Sequence, residues 1–352
     1  MVKRTCAAAL GLLLVFVLSA CRGTPAEIIM IPDAAGIDDA SFNQGTWEGI
    51  RLYAGVNNKT CNYYQPTGQN DRAYYAAISK GVQNGAEIVI LPGHAFEFVV
   101  GEAQVDYPKV HFVLLDSNPA DGPAENTVGI TFAEEQAGYL AGYAAVADGY
   151  TRLGFIGGSP VPGVTGYGFG YVQGANDAAK TFDRQVQMRY AYNGQFVEND
   201  EARALAGDWY AGGTEVIFAC GGAMNFSVFA AAEEAGGKTI GVDVDQSGVS
   251  STVLTSAIKG LGAVAGRTLE QFYTGQFPGG QNLVMGIPEG AVGLAIENSR
   301  FESFSQQDYE ELLRKLSSGE VTVVRDDGEG GAPISPLEID AELDALEMEY
   351  FD

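Results

Sequence analysis

Apolar residues fill the chain in two rhythms. Short runs such as Ile88-Val89-Ile90-Leu91 are apolar at every position, the pattern of a strand covered on both faces, whereas residues 71–84 repeat their apolar positions at helical spacing. Strands are predicted at residues 27–31, 61–64, 88–91, 110–115, 153–156, 186–190, 216–219 and 239–242. Helices are predicted between them at residues 41–54, 71–84, 134–147, 166–179, 201–211 and 226–235. This alternation predicts an α/β fold with doubly wound parallel sheets. So many units exceed one sheet, and residues 149–152 are the expected crossing between two α/β domains that enclose a cleft.

The N-terminus departs from both rhythms. Lys3 and Arg4 precede an apolar run over residues 7–18, and Leu18-Ser19-Ala20 leads into Cys21. This is the pattern of a signal peptide over residues 1–20 with a lipobox, Cys21 supplying the thiol for a lipid anchor and residues 21–26 a tether. The apolar run is too short to span a bilayer, which takes roughly 20 residues. An extracytoplasmic body anchored to the cell membrane is therefore expected. The remaining cysteines, Cys61 and Cys220, read as separate buried thiols.

Charge narrows the ligand. Of 352 residues, 45 are acidic and 20 basic, a net charge of −25 that repels phosphate backbones and so argues against nucleic acid and polyanions. With 2 His and 4 Cys, and no CxxC or HExxH spacing, neither a metal site nor a cofactor is expected. GxGxxG, GxSxG and Walker A patterns are also missing from the sequence. Residues 326–352, rich in Gly and acids, read as a mobile extension whose one helical pattern spans residues 337–348.

Ligands of open parallel sheets bind beyond the carboxyl ends of strands. The loops there carry Asp33 and Asp38-Asp39, Ser41-Phe42-Asn43-Gln44, Gly93-His94, Asp116-Ser117, Gly157-Gly158-Ser159, Cys220-Gly221-Gly222 and Asp243-Val244-Asp245-Gln246. Aromatic faces stack on planar rings and carboxylates accept from adjacent hydroxyls, so the set describes a cleft for a polar ring compound. Simpler roles stand beside these. Asp38 and Asp39 suit the start of the helix at Ser41, Phe42 suits a core, His94 a loop, and Asp116 and Asp243 suit strand-end turns.

Gly36-Ile37-Asp38-Asp39-Ala40-Ser41-Phe42-Asn43-Gln44 with Trp47-Glu48-Gly49 resembles the signature of the basic membrane protein family, the PnrA/TmpC-like substrate-binding lipoproteins of ABC importers. Gly138-Tyr139-Leu140-Ala141-Gly142, Leu153-Gly154-Phe155-Ile156-Gly157-Gly158, Gly241-Val242-Asp243-Val244-Asp245-Gln246 and Val253-Leu254-Thr255-Ser256-Ala257-Ile258-Lys259 match in order, and the likeness covers residues 27–318. It implies a type I periplasmic-binding-protein fold, two lobes joined by a three-stranded hinge. The first lobe is expected at residues 27–149 plus 251–284, the second at 150–250 plus 285–325.

The resemblance also implies closure on a purine nucleoside such as adenosine, guanosine or inosine. Phe42 would stack on the base, Asn43 and Asp116 would hydrogen-bond it, and Asp243 would take the ribose hydroxyls with Lys259 beside it. Asp33 and Gly222 would line the same cleft, and Phe226 would face Phe42. Two departures accompany the match: Ala34-Ala35-Gly36 replaces a longer glycine run, and residues 219–226 replace an Ala-Gly-Gly-Thr-Gly segment that faces the ligand. The implied partners are a membrane permease and its ATPase, with the binding protein a monomer. Other readings are a binder or sensor for a sugar or other metabolite, and an enzyme such as a nucleoside hydrolase or oxidoreductase using the carboxylates as acid and base. No nucleophile–base pair or metal set supports the enzyme.

Overall fold

The computed structural model describes residues 25–33, 36–325, 335–338 and 342–351; the predicted leader and Cys21 lie outside them. In chain order the first elements are β1 (Ile28–Met30), α1 (Phe42–Val56), β2 (Cys61–Tyr63), α2 (Asp71–Gln83), β3 (Ile88–Pro92), α3 (Glu97–Asp106), β4 (His111–Leu115) and β5 (Thr127–Phe132). There follow α4 (Glu134–Ala147), β6 (Arg152–Gly157), α5 (Pro162–Thr181), β7 (Val186–Tyr192), α6 (Asp200–Ala211), β8 (Val216–Cys220), α7 (Asn225–Ala235) and β9 (Lys238–Asp243). The last are β10 (Val253–Lys259), α8 (Leu261–Tyr273), β11 (Gln281–Met285), β12 (Val292–Leu294), α9 (Gln306–Ser318) and β13 (Leu346–Phe351).

Two sheets result, the α/β arrangement that the alternation predicts. The first is six-stranded in the order β11-β5-β4-β3-β1-β2, with every pair parallel. The second is seven-stranded in the order β12-β10-β9-β8-β6-β7-β13, parallel except where β12 runs against β10. The uniformly apolar runs divide between two cores. In β1 and β3, Ile28, Met30, Ile88 and Ile90 pack with Ile50 and Ala54 of α1, while Ile29 and Val89 pack with Ile78 of α2 and Val99 of α3. In β8, Val216 and Phe218 face one way and Ile217 the other, against Trp209 of α6 and Val228 of α7. A strand with helices on both faces has no position left for a polar side chain.

Helices α4 and α5 touch at the backbone. A Cβ on Gly170 would lie 1.9 Å from the carbonyl oxygen of Glu135, and one on Gly174 would lie 2.0 Å from that of Tyr139. In return, Gly138 and Gly142 of α4 meet the carbonyls of Tyr167 and Tyr171 at 2.0 and 2.1 Å. Glycines four apart on both helices therefore interlock on one face of each.

This contact moves the expected lobe boundary. Because α4 packs on α5 and on β10 and β12, the chain passes to the second sheet at Ala133, before α4, and not at residues 149–152. It returns at Gly260 and crosses again between β11 and β12. The three crossings lie side by side: Ala133 N donates to Met285 O (2.9 Å), and Gly260 N donates to Ala291 O (2.7 Å). β10, expected in the first lobe with residues 251–284, pairs with β9 in the second sheet, whereas α8 packs on α1 and β11 pairs with β5.

The C-terminal segment also differs from its prediction. The described part of residues 337–348 is not the expected amphipathic helix: a 3₁₀ turn at Pro336–Glu338 runs into its start, and Leu346 begins β13, which adds to β7 in parallel. Gln187 donates to Glu347 (3.0 Å) and Arg189 to Glu349 (3.3 Å), so acidic residues on one face of the edge strand find partners on β7. Cys220 is buried and Cys61 half-buried, both as free thiols.

Candidate functional site

The carboxyl ends of β3, β4, β8 and β9 turn toward one another across the space between the sheets. Each passes its chain through positive φ at or just beyond the strand's end: Gly93 (106°), Asp116 (64°), Gly222 (58°) and Asp243 (66°). Glycine adopts this conformation without strain, but aspartate does so only when its surroundings hold it there. Asp116 and Asp243 are held by their side chains. Lys259 Nζ, at the end of β10, donates to Asp116 Oδ1 at 2.6 Å, and Ser41 Oγ donates to Asp243 Oδ2 at 2.6 Å. Both contacts join one lobe to the other, as does Gln246 Nε2, which donates to Ala40 O at 3.0 Å.

The start of α1 is organised by Asp39. Its carboxylate accepts from the backbone N–H groups of Ser41 (3.0 Å), Asn43 (2.8 Å) and Gln44 (3.0 Å), filling the open amides of the first turn. That is the capping role its position suggested; Asp38 is exposed. Asn43 is buried and committed, its Nδ2 donating to Asp33 Oδ1 (2.8 Å) and Asp39 Oδ2 (3.1 Å) while its Oδ1 accepts from Asp33 N (3.2 Å). Asn43 thus fixes Asp33 at the edge of the site.

The resulting cavity has a volume of about 120 Å³ and opens to solvent. Asp33, Phe42, Asn43, Asp116, Gly222, Asp243 and Lys259 all line it, so seven of the predicted binding residues come together. Phe226 does not. It packs on the far side of the second sheet with the cluster around Trp209 and Val228, because the turn at Gly222–Met224 carries the start of α7 away from the cleft. The second lobe contributes the rings of Tyr167 and Phe196; Phe196 stands in the loop after β7, stacked over Gly158, where a Cβ would lie 2.6 Å from the ring. The strand-end rule points to this loop, since Asn193-Gly194-Gln195-Phe196 directly follows β7. His94 also lines the cavity and is exposed.

Glu134 is a second residue beyond the predicted set. At the start of α4 it suits the helix dipole, yet its Oε1 lies 3.0 Å from Lys259 Nζ, and the two side chains are 4% and 3% exposed. One ammonium therefore sits among the carboxyls of the buried Glu134 and Asp243 and the half-buried Asp116. Burial and the nearby Asp116 charge push the Glu134 carboxyl up, against the pull of Lys259, and favour its protonated form. Burial alone would lower Lys259, but Asp116, Glu134 and Asp243 together hold it above its ordinary value as a fixed cation. Asp243 is pushed up to about 6, chiefly by burial, which Lys259 and the Ser41 hydrogen bond counter in part. Lys259 also stands 5.6 Å from the Phe42 ring centroid and 5.3 Å from that of Phe132.

This arrangement suits a neutral, ring-bearing ligand with several hydroxyls. The cation is already neutralised, so it offers little to an anion, while rings from both lobes and carboxylates at the strand ends remain at the cavity wall.

Residues 26–326 match a family model described as ABC transporter substrate-binding protein PnrA-like. The chain is 30% identical to the ABC transporter nucleoside-binding protein BmpA of Lactococcus lactis, over 86% of its own length and 94% of the relative's. It is 27% identical to basic membrane protein A of Borreliella burgdorferi, over 81% and 84%. Among solved structures, an ABC transporter solute-binding protein from Aeropyrum pernix superposes with a TM-score of 0.76 at 20% identity, covering 86% of this chain and 94% of that one. One from Conexibacter woesei gives 0.70 at 20%, covering 85% and 99%. These likenesses carry the fold, that of the type I periplasmic binding proteins.

Proposed function

Because the chain belongs to the PnrA-like family of ABC transporter substrate-binding proteins, we propose that it captures purine nucleosides by closure of its lobes and hands them to a membrane permease driven by an ATPase. The observation that carries this reading is a pair of rings, Phe42 from the first lobe and Phe196 from the second, lining one cavity with Asp116 and Asp243. A planar base fits between two such faces, and a carboxylate accepts from the hydroxyls of a sugar. Ligand bound to one lobe recruits the other, so binding shifts an open–closed equilibrium. The protein is a monomer in this reading, held at the extracytoplasmic membrane face through lipidated Cys21. The name of the Lactococcus relative supports a nucleoside as ligand.

Calorimetry on purified protein, unfolded and refolded to strip any ligand it carries, tests the proposal with adenosine, guanosine, inosine, cytidine and ribose. Heat with the purine nucleosides and their recovery unchanged afterwards is the expected result. Ribose binding as tightly as the nucleosides would redirect the assignment to a sugar receptor, and a cleaved product would make the protein an enzyme.

Asp243→Ala is expected to weaken purine nucleoside binding about 100-fold, since it removes a charged acceptor. Acid should act at the same group. With its pKa at about 6, Asp243 accepts from ligand hydroxyls above that pH and loses this capacity as the pH falls through it, so affinity drops on acidification. Stability without ligand runs the other way. A carboxyl raised by folding contributes most at low pH, and that contribution is lost as the pH rises through about 6. Calorimetric titrations at pH 5 and pH 8 read the first effect, and Asp243→Asn should remove the dependence.

A further inference from the structure

Two tyrosines of α5, Tyr167 and Tyr171, have buried hydroxyls with no hydrogen-bond partner among the described residues. An unpaired buried hydroxyl costs stability, so each calls for a reason. Their surroundings differ. Tyr171 is a core residue, its ring edge-on to Phe218 at 5.3 Å, and it is not part of the cavity lining. Tyr167, 2% exposed, meets the same Phe218 at 5.9 Å but lines the cavity, with Lys259 Nζ 5.4 Å from its ring centroid. Burial first, then the nearby carboxylate of Asp243, raise the ionisation of Tyr167 well above the usual phenol range. Its hydroxyl keeps its proton and remains a donor.

A ligand hydroxyl both gives one proton and accepts another. The carboxylates around this cavity take the first but have nothing to give in return, whereas a neutral phenol donates. We propose that Tyr167 is a specificity-determining residue of the ligand site: its Oη donates to a ligand hydroxyl whose own proton goes to Asp243. A ligand that lacks this oxygen leaves the phenol unpaired and is disfavoured. The inference deepens the nucleoside reading and rests on it.

The test compares the wild type with Tyr167→Phe and Tyr171→Phe. Adenosine and its 2′-, 3′- and 5′-deoxy analogues are titrated calorimetrically, and melting is followed without ligand. Tyr167→Phe should bind adenosine about tenfold more weakly, yet match the wild type on the one analogue that lacks the contacted hydroxyl. Tyr171→Phe should bind all four ligands as the wild type does. Without ligand, both variants should melt about 2 °C higher, because each loses an unpaired buried group. The assignment is overturned if Tyr167→Phe binds adenosine as the wild type does, or weakens all four ligands by one factor, which would mean altered packing. It is also overturned if ligand-free Tyr167→Phe melts lower while Tyr171→Phe melts higher, since the hydroxyl would then have a partner. Wild-type silence toward all four ligands is a different result: it removes the nucleoside reading and this assignment with it.

Discussion

Lys259→Met is expected to destabilise the ligand-free protein by about 3–5 kcal/mol at pH 8, the usual cost of leaving a buried charge without its partner. Lys259 bridges Asp116 at 2.6 Å and Glu134 at 3.0 Å, and no other ion pair reaches either carboxyl among the described residues. The methionine fills much of the lysine stem, so most of the loss is electrostatic and includes the ammonium's approach to the rings of Phe42, Phe132 and Tyr167. The sign with pH follows. In the variant Glu134 and Asp243, whose carboxyls burial already holds above the ordinary range, lose their cation and are pushed further up. Stability is then regained as the pH falls and these groups take protons. Urea unfolding at pH 8 and pH 5 should show a smaller gap from the wild type at the lower pH. An equal gap at both would mean that Lys259 acts through its stem. Adding Asp116→Asn to the variant should restore part of the loss at pH 8, because it removes one of the unmatched charges.

Gly170→Val is expected to cost more than about 3 kcal/mol or to prevent folding. The added Cβ would meet the Glu135 carbonyl oxygen at 1.9 Å and its carbon at 2.7 Å. Both are backbone atoms of α4, so no side-chain rotation relieves the clash and the helices must separate. Separation shifts Glu134 and Glu135 at the head of α4, beside the ion-pair cluster, so any folded fraction should also bind ligand poorly. Gly207 of α6 supplies the contrast, with nothing within 4 Å of its Cβ position. Gly207→Ala should stabilise the protein by roughly 0.5–1 kcal/mol through helix propensity. Thermal melts of the two variants separate a glycine required by close approach from one that is not.

Much of this architecture was legible in the chain because burial on both faces writes an unmistakable pattern. β3 and β8 are apolar at every position, and their flanking helices repeat at helical spacing. Where the pattern weakens, so does the reading. β11 is exposed along much of its length, β12 spans three residues, and β13 alternates acid and apolar residues in a segment whose net charge suggested a tail. The site was legible wherever a polar residue ended an apolar strand, as Asp116 and Asp243 do. Phe196 was harder to find because its strand, β7, runs two residues beyond its predicted end and the ring stands four residues after that. Glu134 carries no local mark at all. An acid at a helix start needs only the helix to explain it, and its place beside Lys259 comes from two crossings far apart in sequence. The lobe assignment of β10 failed for the same reason, since a buried parallel strand reads alike in either sheet.

The interleaving of the sheets bears on how the protein comes into being. Thr131 of β5 finds Leu283 of β11 after 152 intervening steps of chain, and Gln187 of β7 finds Glu347 of β13 after 160. Neither sheet can be completed by a nascent chain that has not yet supplied these late strands, and β13 is the last strand to emerge. Pairings of such long sequence separation slow folding. The polypeptide is therefore synthesised with the β5 and β7 edges open, and acquires its final shape only after β11 and β13 have emerged.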